Sequence, residues 1–310
     1  MTDVVCLGIL VADVLARPVD ELPPRGSLRF LDEIALRGGG CALNTATALR
    51  RLGLRAAVAG KVGGDPFGEF LLGLLDERGV DRRGVLRDGS AATSATVVLV
   101  DGGGERTFLH VQGANGTLRA EELDPELLYS GRALHVAGAL VMPGLDGEPF
   151  AALLAEARRR GLLTSLDTVW DATGQWSRIE PCLPHLDLLV PSLAEARAIT
   201  GEADAPRAAA ALRARGAREV VLKMGAAGCY VSGEGFERAL EALAVRAVDG
   251  TGAGDAFVAG LLYGRLAGWP IERAARLANA AGALATTAVG AVEGVRGLEE
   301  TLALAGLEEA

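Results

Sequence analysis

The chain has 310 residues, 50% of them hydrophobic and 23% charged, with 42 glycines and a formal net charge of −9. That length is enough to bury a sizeable core, and glycine at roughly twice its usual share predicts many turns. An acidic chain argues against a nucleic-acid surface, which needs clustered Lys and Arg to neutralise phosphates.

The first apolar run, VVCLGILVADVLA, has no basic residues ahead of it, and Asp13 breaks it well short of the roughly 20 residues that cross a bilayer. Val4 to Leu10 therefore reads as a buried strand, with no membrane partner expected. Leu28 to Leu36 alternates in period two, and Gly38-Gly39-Gly40 leads into a helical stretch over Ala42 to Leu52. Thr96 to Val100 and Thr107 to Val111 flank DGGGE, a hairpin signal, so these middle pieces predict a small separate sheet. From Leu134 onward, short apolar runs (ALHVAG, LLTSLD, HLDLLVPS, EVVLKMG) alternate with helical ones (PFAALLAEARRRG, LAEARAITG, APRAAAALRARG). Such alternation indicates βαβ units and a parallel sheet covered on both faces. ALAVRAV reads as a further strand, and Ala256 to Thr287 as nearly all helix. No linker or internal repeat divides the chain, which favours one α/β domain over residues 1–310 with a small β appendage. Cys6, Cys41, Cys182 and Cys229 lack paired spacing and sit in apolar or glycine-rich settings, as reduced thiols of a cytoplasmic protein do.

Two glycine-rich stretches carry the chemistry. In VDGTGAGDAF, Gly252-Ala253-Gly254 falls at a strand-to-helix turn, where unpaired amides at the positive helix end face any bound anion. Asp255 enters the first helical turn beside them, placed either to accept a hydroxyl proton while the amides stabilise phosphate charge, or simply to cap the helix. In GGGCALNTATALRRLG, backbone access at Gly39 and Gly40 together with the Asn44 amide suits a polyol, and a flexible turn with a capping Asn is the plainer reading. Other chemistries fit poorly: the chain has no GxxxxGK[ST], HExxH, CxxC or GxSxG, and His110, His135 and His185 are scattered.

Together, the two stretches resemble the paired signatures of the ribokinase-like, or PfkB-type, carbohydrate kinases. Gly39-Gly40, Ala42, Asn44, Ala46, Gly53 and Gly63 match the first in order and spacing, while Asp249, Thr251, GAGD at 252–255 and Ala259-Gly260-Leu261 match the second. The resemblance implies a Rossmann-like three-layer αβα sandwich with a predominantly parallel sheet and a small β-sheet lid from about 14–37 and 93–112. It also implies ATP-dependent phosphorylation of a hydroxymethyl group on a sugar or sugar-like substrate. Asp255 resembles the catalytic base, and the amides of Gly252, Ala253 and Gly254 the anion hole. Asp13, Gly39, Gly40 and Asn44 resemble substrate-holding positions, with Arg106, His110 and Asn115 as further candidates from the lid. Lys223, Gly225 and Gly228 of VLKMGAAG, with Asn279 and Ala283, resemble the ATP side. Glu195 resembles the carboxylate that supports magnesium through water, with Ser192 in place of the family's Asn. Asp249 and Thr251 resemble a monovalent-cation site that takes potassium in some members. The lid implies a homodimer.

Gly250 replaces a bulkier residue and is expected to loosen the loop. Cys41 and Val11 replace polar positions of ribokinases proper, which argues against ribose. A nucleoside kinase of the same family is the alternative, less natural with only 4% aromatic residues. A non-catalytic sugar or nucleotide binder on the same fold would not require the Asp255 base.

Overall fold

The computed structural model describes residues 2–308. The first half of the chain runs β1 (Val4–Gly8), β2 (Val11–Arg17), β3 (Glu33–Gly39), α1 (Cys41–Arg51), β4 (Ala56–Gly63), α2 (Pro66–Glu77), β5 (Asp81–Asp88), β6 (Ala95–Val100), β7 (Arg106–Val111), α3 (Gly113–Thr117) and α4 (Pro125–Leu128). It continues with β8 (Ala133–Ala139), α5 (Glu148–Arg159), β9 (Leu163–Thr168), β10 (Leu188–Leu189), α6 (Leu193–Thr200), α7 (Ala205–Ala214), β11 (Glu219–Lys223), β12 (Cys229–Gly233) and β13 (Phe236–Leu240). Three helices complete it: α8 (Ala253–Leu266), α9 (Ile271–Ala285) and α10 (Leu298–Ala305).

Among the described residues, nine strands form one sheet in the order β13-β12-β11-β10-β9-β8-β1-β4-β5. All pairs from β11 to β5 are parallel, and only the β11-β12-β13 end is antiparallel. Strand alternation splits the interior in two. Val4 and Cys6 of β1 join the core under α1, α2, α8 and α9, while Val5 and Leu7 join the core under α5, α6 and α7. A sheet buried on both faces is the middle layer of a three-layer sandwich, as expected. The connection order reverses beside β1, whose neighbours are β8 and β4; in open parallel sheets, ligands bind at the carboxyl ends of strands at such a point.

A separate four-stranded sheet, ordered β3-β2-β6-β7, stands over that end of the molecule. Its β6-β7 hairpin pairs Ala95 with Val111 through Val100 with Arg106, so the DGGGE signal was sound. The Leu28–Leu36 pattern becomes strand only from Glu33, because its partner β2 ends at Arg17, ahead of Pro18, which has no N–H to continue a ladder. ALAVRAV, at 242–248, is not a strand. Hydrogen bonds to α9 and the segment that follows it replace a sheet partner here: Asn279 Nδ2 donates to Glu241 O at 3.1 Å and Val248 N to Thr286 O at 2.7 Å. The chain therefore peels away from β13 and leaves a cleft between sheet edge and helix. Strand β4, next to the β5 edge, escaped the sequence reading because Gly60, Lys61 and Gly63 interrupt its apolar run; Lys61 is nevertheless buried, paired with Asp88 at 3.2 Å and Glu122 at 2.6 Å.

Candidate active site

Two helices begin at the same place, and neither is closed by a side chain. α1 starts after Gly40 and α8 after Gly252, each without a side-chain cap. Ala42 N in the first turn of α1 donates to Ile9 O at 3.2 Å and Ala253 N in that of α8 only distantly to Gly250 O at 3.4 Å, and both turns form positive helix ends. Gly252 has φ 69°, and a Cβ there would lie 2.0 Å from Ala291 O, so the turn into α8 requires glycine on two grounds.

The two motifs meet side chain to side chain: Asn44 Nδ2, in the first turn of α1, donates to Asp255 Oδ2, in the first turn of α8, at 2.8 Å. Asn44 therefore does not cap its own helix. Its Oδ1 is buried without a partner, an acceptor held ready beside the carboxylate. Burial lifts Asp255 above the ordinary carboxylate range, against the opposing pull of Asn44, Lys223 and Cys41. Burial and Asp255 together push the Cys41 thiol well up, leaving it neutral. Thr45 Oγ1 contacts Asp255 O at 3.4 Å.

Asp13 lies on β2 opposite Thr96, and burial raises it to about 6 while the Thr96 hydroxyl pulls it down. Its Oδ2 comes within 2.1 Å of where a Cβ on Gly39 would stand, so the small residue gives the carboxylate its room. Gly40 fits closely as well, a Cβ there meeting Ile9 O at 2.4 Å. Asp13, Gly39, Gly40, Asn44 and Asp255 thus form a connected chain of neighbours. Of the further candidates, His110 bonds Thr96 Oγ1 through Nδ1 at 3.0 Å on the same row as Asp13. Asn115 is a structural clamp instead, donating to Leu10 O at 2.9 Å and accepting from Leu10 N at 3.2 Å.

On the other side of the α8 turn lies a cavity of about 670 Å³, within the usual range for small-molecule sites. Lys223, Gly225, Gly228, Asn279 and Ala283 all line it, together with Ala253, Gly254 and the 242–247 segment. The Lys223 ammonium is 3.4 Å from the Cβ position of Gly254, directly under the turn, and bonds Asp167 Oδ1 at 2.6 Å. Burial pulls Lys223 down, but Asp167, Glu195 and Asp255 more than offset it, so the ammonium stays charged at neutral pH. Asp167 escaped the sequence reading. Its signal was a carboxylate closing the apolar run LLTSLD, as Asp13 follows the first one, and burial lifts it to about 7 against Lys223.

Glu195 is fixed rather than solvated. Its Oε2 accepts from Ser192 N at 2.7 Å and Thr168 Oγ1 at 2.9 Å, and Glu195 N in return donates to Ser192 Oγ at 3.2 Å. Ser192 so completes a capping box in the place of Asn. Among the described residues, no group of three or more His, Cys, Asp and Glu is disposed to hold a metal. Magnesium suits this arrangement only as an ion carried by a nucleotide, with phosphates and water supplying most ligands.

Asp249 is already neutralised. Its Oδ1 accepts from Thr251 N at 2.9 Å, Thr251 Oγ1 at 2.7 Å and the guanidinium of Arg106, and its Oδ2 from Gly290 N at 3.0 Å. The Arg106 guanidinium thus already supplies a counter-charge at this carboxylate. Gly250 is outside the left-handed region, and a Cβ there would meet nothing within 4 Å, so glycine imposes no special backbone on the loop. A second cavity of about 370 Å³ is lined by Arg50, Arg51, Arg78 and Glu293, with Glu293 already binding Arg51 and Arg78.

The model of the pfkB family carbohydrate kinases matches residues 1–296. A fructokinase of Klebsiella pneumoniae is 37% identical over 299 residues, spanning 90% of this chain and 94% of its own. The fructokinase of Xylella fastidiosa with bound ATP superposes with TM-score 0.81 at 25% identity, covering 97% of each chain. The Arabidopsis thaliana ribokinase complexed with ribose and ATP gives TM-score 0.86 at 23% identity over 99% of this chain and all of its own, a likeness of fold.

Proposed function

This chain belongs to the pfkB family of ATP-dependent carbohydrate kinases, and on that premise we propose that it transfers the γ-phosphate of ATP to a hydroxymethyl group of a sugar, with Asp255 as the base. The observation that supports the reading is the Asn44–Asp255 bond at 2.8 Å, which joins the first glycine-rich stretch to the second, next to Ala253 and Gly254 in the lining of the cavity that also holds Lys223. Asp13 and Asn44 hold the sugar hydroxyls. Asp255 takes the proton of the attacking oxygen as its bond to the γ-phosphorus forms and the bond to ADP breaks. The amides of Gly252, Ala253 and Gly254 receive the charge carried by the transferring group, and Lys223 adds a fixed positive charge beneath them. Glu195, held by Ser192 and Thr168, would support the water shell of a magnesium ion carried in with ATP, whose charge would offset that of the phosphates. Gly225, Gly228, Asn279 and Ala283 form the walls of the nucleotide cleft, where small residues leave room for the base.

The small sheet acts as the lid, carrying Asp13 over the site and excluding water from transfer. We propose that a second copy of the chain covers its outer face. Register puts Leu36, Val14, Val97 and Leu109 in one row and Ile34, Ala16, Leu99 and Thr107 in the next on the same face. Ile34 is 71% and Leu109 59% exposed, and a flat apolar sheet face is complementary to its own copy.

Fructose is the first sugar to test, because the similar chains from Klebsiella and Xylella are fructokinases. Formation of ADP and sugar phosphate is to be measured over fructose, ribose, other hexoses and adenosine. The proposal expects a sugar to be preferred to adenosine. Phosphorylation of adenosine alone, or ATP binding without transfer to any acceptor, would contradict it.

A further inference from the structure

We propose that Arg106 is a positioning residue for phosphoryl transfer, standing where a bound monovalent cation would stand at Asp249 and tying the lid to the loop that leads into Gly252. The inference rests on the kinase reading above and goes beyond it. Arg106 opens β7, and its guanidinium donates one nitrogen to Asp249 Oδ1 and the other to Thr251 Oγ1. The two side chains are only 27% and 9% exposed, so the carboxylate needs a counter-charge close by. A guanidinium supplies that charge in a rigid fork, fixing direction as well as sign. A free cation at the same carboxylate would face it as a like charge at short range.

The bond also has mechanical reach. Arg106 and His110 lie on one face of β7, and His110 pairs through Thr96 with Asp13, so the strand that anchors at Asp249 belongs to the sheet that carries Asp13. Asp249 in turn holds Gly290 N at 3.0 Å, and the next residue's carbonyl packs against Gly252. One guanidinium therefore fixes the lid and both walls of the anion turn together, and no monovalent cation is required for turnover.

The test compares wild type, Arg106→Lys, Arg106→Ala and Asp249→Asn, in potassium chloride against tetramethylammonium chloride at constant ionic strength. Initial rates, and melting temperatures of the protein without nucleotide, are read for each. Wild-type rate and melting should be the same in the two salts. Arg106→Ala should lose about tenfold or more in kcat, recover in part with potassium or millimolar guanidinium, and gain a potassium-dependent rise in melting. Arg106→Lys should keep most of the rate, and Asp249→Asn should lose rate with no rescue by either cation. Wild type stimulated severalfold by potassium, or Arg106→Ala with unchanged kcat, would overturn the proposal. If wild type phosphorylates no sugar, the kinase reading fails instead, and the melting curves still decide whether the guanidinium occupies the cation's place.

Discussion

Asp255 is buried and Asp13 half-buried, and the roles proposed for them require both carboxyl groups to be ionised, which gives the activity a pH signature. Burial raises Asp255 and lifts Asp13 to about 6. A raised carboxyl is protonated at a higher pH than usual, so both the proton acceptor and the hydroxyl acceptor are lost earlier on acidification. The expected kcat/KM profile falls below about pH 6, by roughly tenfold per unit once one group limits, rather than holding to the range near 4 of an exposed Asp. Asp13→Asn should weaken sugar binding and shift that limb. A profile flat to pH 4.5 would contradict the burial argument. Asp255, Asn44 and the glycines were legible because each signature packs its residues into a short, ordered stretch. Asp167 and the Arg106–Asp249 pair were not: the partners are 56 and 143 residues apart, and nothing local in either stretch announces the other.

At the scale of elements, the hairpin around DGGGE and the helices after Gly40 and Gly252 followed from turn chemistry and periodicity. ALAVRAV has a strand's composition but is held by Asn279 and Thr286, a tertiary choice that composition does not encode. The same displacement opens the cavity lined by Lys223, Asn279 and Ala283, to which the proposed function assigns the nucleotide. The outer face of the lid also exposes more apolar surface than a solitary sheet would keep, with Ile34, Leu109 and Val111 each more than half exposed. Light scattering on the eluting protein should therefore report a dimer, and Ile34→Glu combined with Leu109→Glu should convert it to a folded monomer. A monomeric wild type, or a variant that remains dimeric, would rule out this face as the interface.

Over the whole molecule, alternating strands and helices foretold the sandwich, and the reversal of connection order beside β1 explains why residues from distant parts of the chain converge at one end of the sheet. At that end two helix starts without side-chain caps and the Lys223 ammonium face the carboxyl groups of Asp167, Glu195 and Asp255. The loop containing Gly250, expected to be loosened, owes its shape instead to Asp249, whose bonds reach Thr251, Gly290 and Arg106. What sequence reading did not supply was this charge arrangement, since it depends on which strand ends become neighbours. The central claim is that Asp255 removes the proton of the acceptor hydroxyl, and it is tested most directly by single-turnover transfer of the ATP γ-phosphate to the preferred sugar in wild type and Asp255→Asn, with ATP affinity measured by calorimetry on both. The account predicts that the variant binds ATP within about threefold of wild type while transfer falls by about a thousandfold or more. Transfer at the wild-type rate in the variant would contradict it.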